Sequence, residues 1–405
     1  MMKSRIKKFI SPSLLGAYYM VVEFFAAAMF GFPGLRLKVI GVTGTKGKST
    51  TVYLLTRILE EAGLRVAASS SIEFRMNKKS RVNELKMALP GRSILQRFLK
   101  EALNTHCDYV VLEISSEGLA QHRPRFIHFI AAVFTNLAPE HIESHGSFER
   151  YRRAKAILFS LLKEGFAVLN EDDPHFTSFL TIVRKDVKKI FFGKKDFHLI
   201  KGMRLKLLGE FNEYNALAAY TVATHLGISP DVIERALERV DEIPGRLEEI
   251  KEGQEFRVFL DYAHNPSSLD AVLKACSKLK ILNSKLLILT GAQGGGRDKW
   301  KRKEMGKIAA QYADAIIITN EDPYQEDPCQ ILLDIKSGIP KSKLQKSKII
   351  LDRKEAIKIA LTMAKAGDIV VIAGKGSETV MEVKEGKIPW SDKEIIVDVL
   401  TEMSF

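Results

Sequence analysis

Cysteine is scarce in this 405-residue chain: Cys107, Cys276 and Cys329 lie far apart and form no Cys-x-x-Cys pair. That excludes a disulfide scaffold and a cysteine zinc ribbon, and it fits a reducing compartment. Internal repeats and low-complexity tracts are absent. Acidic residues are the minority among the charges, 49 against 62 basic, for a formal net charge of +13. Such a surplus favours an anionic partner such as a nucleotide, a phosphate group, an acidic lipid or nucleic acid, or is a solvated surface. At 46% apolar and 27% charged, the composition excludes a disordered, collagen-like or polytopic membrane protein. The length suggests two or three domains at roughly 150 residues each.

The most apolar stretch runs from Leu14 to Phe32, broken only by Glu23 and preceded by Lys3, Arg5, Lys7 and Lys8. A basic start followed by an apolar run is the pattern of a signal peptide or membrane anchor. A full span is disfavoured. Glu23 would lie mid-bilayer at a cost of roughly 2.5–3.5 kcal/mol. Leu14 to Phe30 reaches only ~25 Å at ~1.5 Å per residue, against a ~30 Å hydrocarbon core. The charge pattern would also place everything after the span outside the cell. Residues 1–38 therefore read as a helical segment, docked on the next domain or lying on the inner membrane face through residues 1–35.

Leu37 to Val42 reads as a buried strand, and Thr51 to Ala62 has helical apolar spacing at Val52, Leu55, Ile58 and Leu59. Between them stands Gly41-Val-Thr-Gly-Thr-Lys-Gly-Lys-Ser-Thr50. Strand, glycine-rich turn, Gly-Lys-Ser and helix make a phosphate loop, in which backbone N–H groups and a helix N-terminus receive the anion. Lys48 would sit on the outer phosphates and the Ser49 hydroxyl would ligate Mg²⁺. Val42 stands where the commoner pattern has its first glycine, so the loop is a variant.

Strand-like runs at Tyr109–Ile114, Phe129–Leu137 and Phe166–Leu169 alternate with helical patterns at Ser93–Leu103 and Phe148–Leu162. The alternation predicts an α/β fold, a parallel sheet with helices on both faces, which binds ligands at the carboxyl ends of its strands. Glu113 and His141 fall at or just beyond such ends and could reach a divalent metal beside the phosphates. Past Gly245 a second, smaller alternation follows. Its strands are predicted at Arg257–Tyr262, Lys285–Thr290, Ala315–Thr319 and Asp368–Ala373, and its helices at Ser268–Leu279, Lys301–Tyr312 and Lys354–Ala364. A helix over about Tyr214–Leu226 closes the central domain, with Pro244-Gly245 as a hinge. The expected division is an N-terminal helical segment, 1–38, a central ATP-binding domain, 39–242, and a C-terminal Rossmann-like domain, 243–405.

A series of motifs runs along the chain in order: Gly44-Thr-Lys-Gly-Lys-Ser-Thr50, Glu113-Ile-Ser-Ser-Glu-Gly-Leu-Ala-Gln-His-Arg123 and Phe134-Thr-Asn-Leu-Ala-Pro-Glu-His-Ile-Glu-Ser-His-Gly146 with Tyr151 and Lys155. Gly209-Glu-Phe-Asn-Glu-Tyr-Asn215, Pro244-Gly-Arg246, Asp261-Tyr-Ala-His-Asn-Pro266, Gly295-Gly-Arg-Asp-Lys299 and Gly374-Lys-Gly-Ser-Glu378 complete it. The series resembles that of the Mur ligases, which add amino acids to the peptidoglycan precursor, and most of all the tripeptide-forming MurE-type branch. The resemblance covers about residues 38–400. It implies a uridine-binding N-terminal domain in the full family, which is expected here to be missing or reduced to about 38 apolar residues. The family's Thr-Thr-Pro-like segment is Met87-Ala-Leu-Pro90, and its Gly-Lys-Gly-His-Glu histidine is Ser377.

The implied activity is an ATP-dependent, ADP-forming carboxylate–amine ligase acting on a UDP-N-acetylmuramoyl-dipeptide in the cytoplasm. A carboxylate does not react with an amine at neutral pH, because its oxygen leaves poorly. Phosphorylation by ATP makes an acyl phosphate, which the amine attacks. Two anions must be held together, so cations dominate such a site. The resemblance assigns Gly44, Thr45, Lys46, Gly47, Lys48, Ser49 and Thr50 to the phosphates of ATP. It gives Asn212, Asn215, Asp261 and His264 to adenine and ribose, and Arg246 to the γ-phosphate. Two Mg²⁺ ions are implied, one on Ser49 and Glu113, the other on Glu113, His141 and a carbamate on Lys155. Lys48, Lys155, His141 and Arg246 are the implied catalytic set. Ser115, Ser116, Gln121 and Arg123 would grip the sugar-peptide, and Asp322, Tyr324, Gly374 and Glu378 the incoming amino acid.

Family members using diaminopimelate carry Asp-Asn-Pro-Arg where this chain has Glu321-Asp-Pro-Tyr324. A phenol cannot make the bidentate pair of guanidinium with carboxylate, and Glu321, Asp322 and Glu326 would create a negative field. L-lysine is therefore expected over diaminopimelate, with Asp327-Pro328 reading as a helix cap. Rival readings are a folylpolyglutamate-type or other amide ligase on a different carboxylate, and a membrane-associated non-catalytic homologue. Nucleic acid is not an expected partner.

Overall fold

The computed structural model describes residues 12–140, 142–296 and 298–403. Two compact units divide the chain. The first holds residues up to Leu137, Phe148–Arg204 and Glu213–Arg239; the second holds Ala138–Ser147, Leu205–Asn212 and everything from Val240.

The first unit is built on an eight-stranded sheet ordered β4-β3-β2-β5-β1-β6-β7-β8. Its strands are β1 (Val39–Thr43), β2 (Val66–Ser69), β3 (Glu73–Met76), β4 (Lys79–Val82), β5 (Tyr109–Glu113), β6 (Phe129–Phe134), β7 (Phe166–Asn170) and β8 (Lys188–Phe192). All pair in parallel except β3 and β4. Strand β1 is buried at every position, as expected of a run covered on both faces. Gly41 sits where Phe129 and Leu158 press against the strand and leave no room for a Cβ. The chain order reverses at β1, which lies between β5 and β6, so this is a topological switch point and its carboxyl end is the natural ligand crevice.

Helix α1 (Pro12–Met29) packs against α2 (Arg92–Asn104), which buries Leu95, Phe98, Leu99 and Ala102 at helical spacing. Among the described residues no helix is long and apolar enough to cross a membrane. Of the two dockings read from the sequence, the one on the protein is present. Glu23 is fully buried, with its Oε2 3.3 Å from the Arg92 guanidinium and its Oε1 accepting from Gln96 Nε2 at 3.0 Å. Burial raises the Glu23 carboxyl to about 7, against the opposing hydrogen bond from Gln96 and the charges of Arg92 and Arg123.

The second unit carries a six-stranded sheet ordered β13-β12-β11-β14-β10-β9. Its strands are β9 (Glu248–Ile250), β10 (Arg257–Asp261), β11 (Leu286–Thr290), β12 (Ala315–Thr319), β13 (Ser347–Ile350) and β14 (Ile369–Ala373). All are parallel except β9. Apolar clusters cover both faces, one around Phe259, Leu273 and Ile288, the other around Val258, Leu289 and Ile357. The sequence reading missed β2, β8, β9, β13, the β3–β4 pair and a hairpin of β15 (Val380–Val383) with β16 (Gly386–Pro389). The helix expected from Tyr214 starts at Glu210 and ends at His225, so Asn212 lies inside it. Pro244-Gly245 forms a hydrogen-bonded turn. Gly245 has φ +64, its N–H donates to Glu248 Oε2 at 2.7 Å, and its carbonyl accepts from Tyr262 N at 3.0 Å.

Candidate functional site

In the first unit the loop after β1 is held in shape by its neighbours. Its last glycine, Gly47, has φ +78 and stands at the head of the helix Lys48–Glu61. A Cβ there would collide with the Asn215 amide, so both the backbone angle and the space require glycine. Asn136, just past β6, accepts from Lys46 N at 3.0 Å through Oδ1 and donates to Lys46 O at 3.1 Å. Thr135 Oγ1 donates to the same carbonyl at 2.6 Å, and Thr45 N donates to Asn136 O at 2.8 Å.

Lys48 Nζ donates to Thr45 O at 2.8 Å and lies 3.8 Å from Glu113 Oε1. Ser49 Oγ donates to Glu113 Oε2 at 2.8 Å, and that oxygen also accepts from Ser71 N at 2.8 Å. Ser71, whose hydroxyl also lies 2.8 Å from Ser49 Oγ, had no sequence signal, because it belongs to the turn between β2 and β3. Thr50 is buried in the first turn of the helix.

Mg²⁺ takes few protein ligands, usually one or two carboxylates plus substrate phosphates. A hydroxyl and a carboxylate already 2.8 Å apart beside a phosphate loop fit that demand. Among the described residues no group of three or more His, Cys, Asp or Glu side chains is placed to hold a metal. His141 lies outside the described residues. Lys155 is buried at 2% exposure, over the Tyr151 ring, and its Nζ donates to Gly44 O at 2.6 Å. Tyr151 OH in turn lies 3.0 Å from Thr45 Oγ1. The structure thus gathers Gly44, Thr45, Lys46, Gly47, Lys48, Ser49, Glu113, Lys155 and Asn215 around one loop.

A second group lies beyond β5. Ser115 caps the short helix Ser116–Ala120, its Oγ accepting from Gly118 N at 3.1 Å. Arg123 donates to Leu89 O at 2.8 Å and to Gln121 Oε1 at 2.9 Å, while Arg92 donates to Gln121 O at 2.8 Å. Arg92 carried no motif. Its guanidinium lies over the Tyr19 ring of α1, so the N-terminal helix helps seat the arginine pair.

In the second unit, Arg246 lies over the Tyr262 ring, 4.5 Å from its centroid, and donates to Gly245 O at 3.0 Å. Asp261 turns into the backbone, accepting from Leu247 N and Ala263 N at 2.7 Å each. Burial raises its carboxyl, opposed first by Arg246. His264 Nδ1 lies 2.8 Å from Tyr262 O and its Nε2 3.5 Å from Glu140, which also accepts from Asn265 Nδ2 at 2.7 Å. Glu140, the neighbour of His141, was not singled out from sequence. Asn212 Nδ2 donates to Leu208 O at 2.8 Å.

The acids expected to create a negative field around Tyr324 are partly offset by nearby bases. Fully buried Lys375 donates to Asp322 Oδ1 at 2.9 Å, to Glu378 Oε2 at 2.6 Å and to Val380 O at 2.7 Å. Glu326 receives both Arg302 nitrogens, at 2.8 and 2.9 Å, with Lys299 Nζ at 2.9 Å; its carboxyl falls to about 2, through the Arg302 hydrogen bonds first. Glu321 is fully buried beside Gly374, and burial, then the neighbouring Asp322, push its carboxyl upward. Glu326 is therefore compensated, Asp322 shares one cation with Glu378, and burial pushes Glu321 toward its neutral form. Lys375 stood between two motif glycines, and nothing in the spacing marked it as the counter-ion. Tyr324 has φ +54 and its ring packs on Gly295. Asp327 does cap its helix, accepting from Cys329 N at 3.0 Å.

Residues 42–223 match the family described as Mur ligase middle domain, and residues 245–376 match Mur ligase, glutamate ligase domain. The chain is 37% identical over 398 residues to the UDP-N-acetylmuramoyl-L-alanyl-D-glutamate--2,6-diaminopimelate ligase of Syntrophomonas wolfei, covering 93% of this chain and 80% of that one. It is 32% identical to the UDP-N-acetylmuramyl-tripeptide synthetase of a Roseiflexus species, covering 94% and 82%. A solved structure of a UDP-N-acetylmuramoyl-L-alanyl-D-glutamate--2,6-diaminopimelate ligase superposes with TM-score 0.59 at 29% identity, over 91% of this chain and 79% of that one. Folylpolyglutamate synthase of Mycobacterium tuberculosis complexed with ADP reaches TM-score 0.69 at 17% identity, over 90% and 92%, a likeness of fold alone.

Proposed function

Because the chain belongs to the Mur ligase family, we propose that it joins an amino acid to the free carboxylate of a UDP-N-acetylmuramoyl-dipeptide in peptidoglycan synthesis. It is an ATP-dependent, ADP-forming ligase of acid and amino acid. The observation that carries this reading is the convergence of Lys48, Ser49 and Glu113 at the end of β1 and β5.

ATP supplies the phosphoryl group that makes the acceptor's carboxylate reactive, and Mg²⁺ supplies charge to hold the two anions together. The loop N–H groups and Lys48 hold the phosphates. Ser49 and Glu113 hold one cation. Glu113, His141 and Lys155 hold a second, with Lys155 as its carbamate, which would replace an ammonium at the loop by a metal-binding carboxylate. Arg246 offsets charge on the transferring phosphoryl group, and Asn212, Asn215, Asp261 and His264 hold the nucleoside. Ser115, Ser116, Gln121 and Arg123 bind the sugar-peptide. Asp322, Tyr324, Gly374 and Glu378 receive the amino acid, Asp322 and Glu378 through the geometry that Lys375 imposes on them. The domain limits at 38 and 242 belong to the same reading, as does a cytoplasmic enzyme with a peripheral contact at the inner membrane face through residues 1–35.

The test is ADP and phosphate release with UDP-muramoyl-dipeptide across a panel of amino acids. Turnover that needs both acceptor and amino acid is expected; turnover only with a folate acceptor would overturn the reading. With the negative field reduced by Lys375, Arg302 and Lys299, the preference for L-lysine rests mainly on Tyr324, whose phenol cannot pair bidentately with a distal carboxylate. A clear preference for diaminopimelate would sink that preference and leave the ligase reading standing.

A further inference from the structure

Helix α1 has two unlike halves. At ~100° per residue, the buried Tyr19, Glu23, Ala26 and Ala27 occupy an arc of about 100°. Tyr18, Met20, Val21, Phe24, Phe25 and Met29 occupy the opposite arc of about 180°, each at least 40% exposed and Phe25 and Met29 at 64% and 75%. Glu23, the helix's sole charge, is on the inner side, so the outer half carries none. An apolar face this wide exceeds the narrow seam of a two-stranded coiled coil, and exposed patches of this kind mark contact surfaces.

The flanking charge points to the occupant. Residues 1–38 hold six basic residues, Lys3, Arg5, Lys7, Lys8, Arg36 and Lys38, and one acid, the buried Glu23. Arg36 and Lys38 are exposed just beyond the helix. Two copies of this helix would set like charges side by side in either orientation, whereas an anionic lipid surface complements both ends. Apolar side chains combined with clustered basic residues are the two signals that stable interfacial binding requires.

We propose that the outer face of α1 is a docking surface for an anionic phospholipid bilayer, with the helix lying in the interface and its inner face locked to α2 by Glu23, Arg92 and Gln96. This deepens the membrane contact named above and does not depend on the ligase assignment. The experiment is co-sedimentation of the full chain with vesicles of phosphatidylcholine alone and of phosphatidylcholine with phosphatidylglycerol, at low and high salt. Binding is expected to the anionic vesicles and to weaken with salt. The double variant Val21→Glu/Phe25→Glu is expected to bind at least about tenfold more weakly, while keeping the parent's melting temperature and its turnover of a soluble UDP-linked acceptor. As a second readout, Phe25→Trp should show a blue-shifted emission on adding anionic vesicles. The proposal is overturned if the parent ignores anionic vesicles, if the double variant binds them equally, if the tryptophan emission does not move, or if a concentration-dependent dimer is what the double variant abolishes. Loss of ligase turnover with vesicle binding intact would count against the enzyme reading alone.

Discussion

Replacing Glu23 by glutamine should stabilise the protein at alkaline pH and do nothing at acid pH. The carboxyl ordinarily ionises near 4.5 and is raised to about 7 in the folded chain, chiefly because burial strips it of water. A folded state that binds its proton more tightly than the unfolded state takes up a proton on folding between those values. Stability is then fully present below pH 4.5 and is lost as pH rises through 7. The gap corresponds to at most about 3 kcal/mol, at 1.36 kcal/mol per tenfold change in acidity. Glutamine keeps the shape and can still accept from Gln96, but it has no charge to desolvate. For a unit of this size about 2–4 °C of melting temperature attends each kcal/mol. Thermal unfolding followed by circular dichroism should therefore show Glu23→Gln melting several degrees above the parent at pH 8, with the difference closing by pH 5. A variant that melts below the parent at pH 8 would mean that the Arg92 ion pair outweighs desolvation. A difference independent of pH would equally refute the argument.

Lys48→Ala should cut ATP turnover by about a thousandfold or more with little change in melting temperature, since its Nζ meets the Thr45 carbonyl of the loop and the Glu113 carboxylate at the end of β5 rather than the apolar core; near-parent turnover in a steady-state phosphate assay would contradict the loop's role. Lys155→Ala should be nearly inactive and partly restored by added acetate or formate, which can replace a carbamate; full activity without rescue would make the lysine purely structural. Lys375→Met should cost about 3–5 kcal/mol in urea unfolding, because it leaves Asp322 and Glu378 buried without their shared counter-ion; a loss below about 1 kcal/mol would show that those carboxyls are held by other means.

The elements that were legible in the chain are those whose pattern is local. Strand β1, the helix after it and strands β10, β11, β12 and β14 announced themselves through unbroken apolar runs and helical spacing. The short, polar or exposed strands β4, β8 and β16 did not, because an edge strand needs no apolar side chains and its pairing is settled by neighbours far off in sequence. The loop residues were readable for the same local reason, as a glycine-rich turn has its own spacing. Ser71, Arg92, Glu140 and Lys375 were not, since each reaches a partner far off in sequence: Ser71 meets Glu113, Arg92 meets Gln121, Glu140 meets His264 and Lys375 meets Asp322. The misreading around Tyr324 has one cause: counting the acids Glu321, Asp322 and Glu326 in sequence could not show which bases face them in space.

The Thr135–Asn136 brace beneath the loop has a thermodynamic consequence. Ordering a backbone residue costs roughly 1–2 kcal/mol of conformational entropy, and here that cost for Thr45 and Lys46 is met during folding, by hydrogen bonds from the end of β6. A nucleotide arriving at a loop already in shape need not order it, so more of its contact energy is expressed as affinity. On the proposed reading of the loop, Asn136 would influence nucleotide binding without having to touch the ligand, and its replacement by alanine would act like loosening a mould rather than like removing a contact.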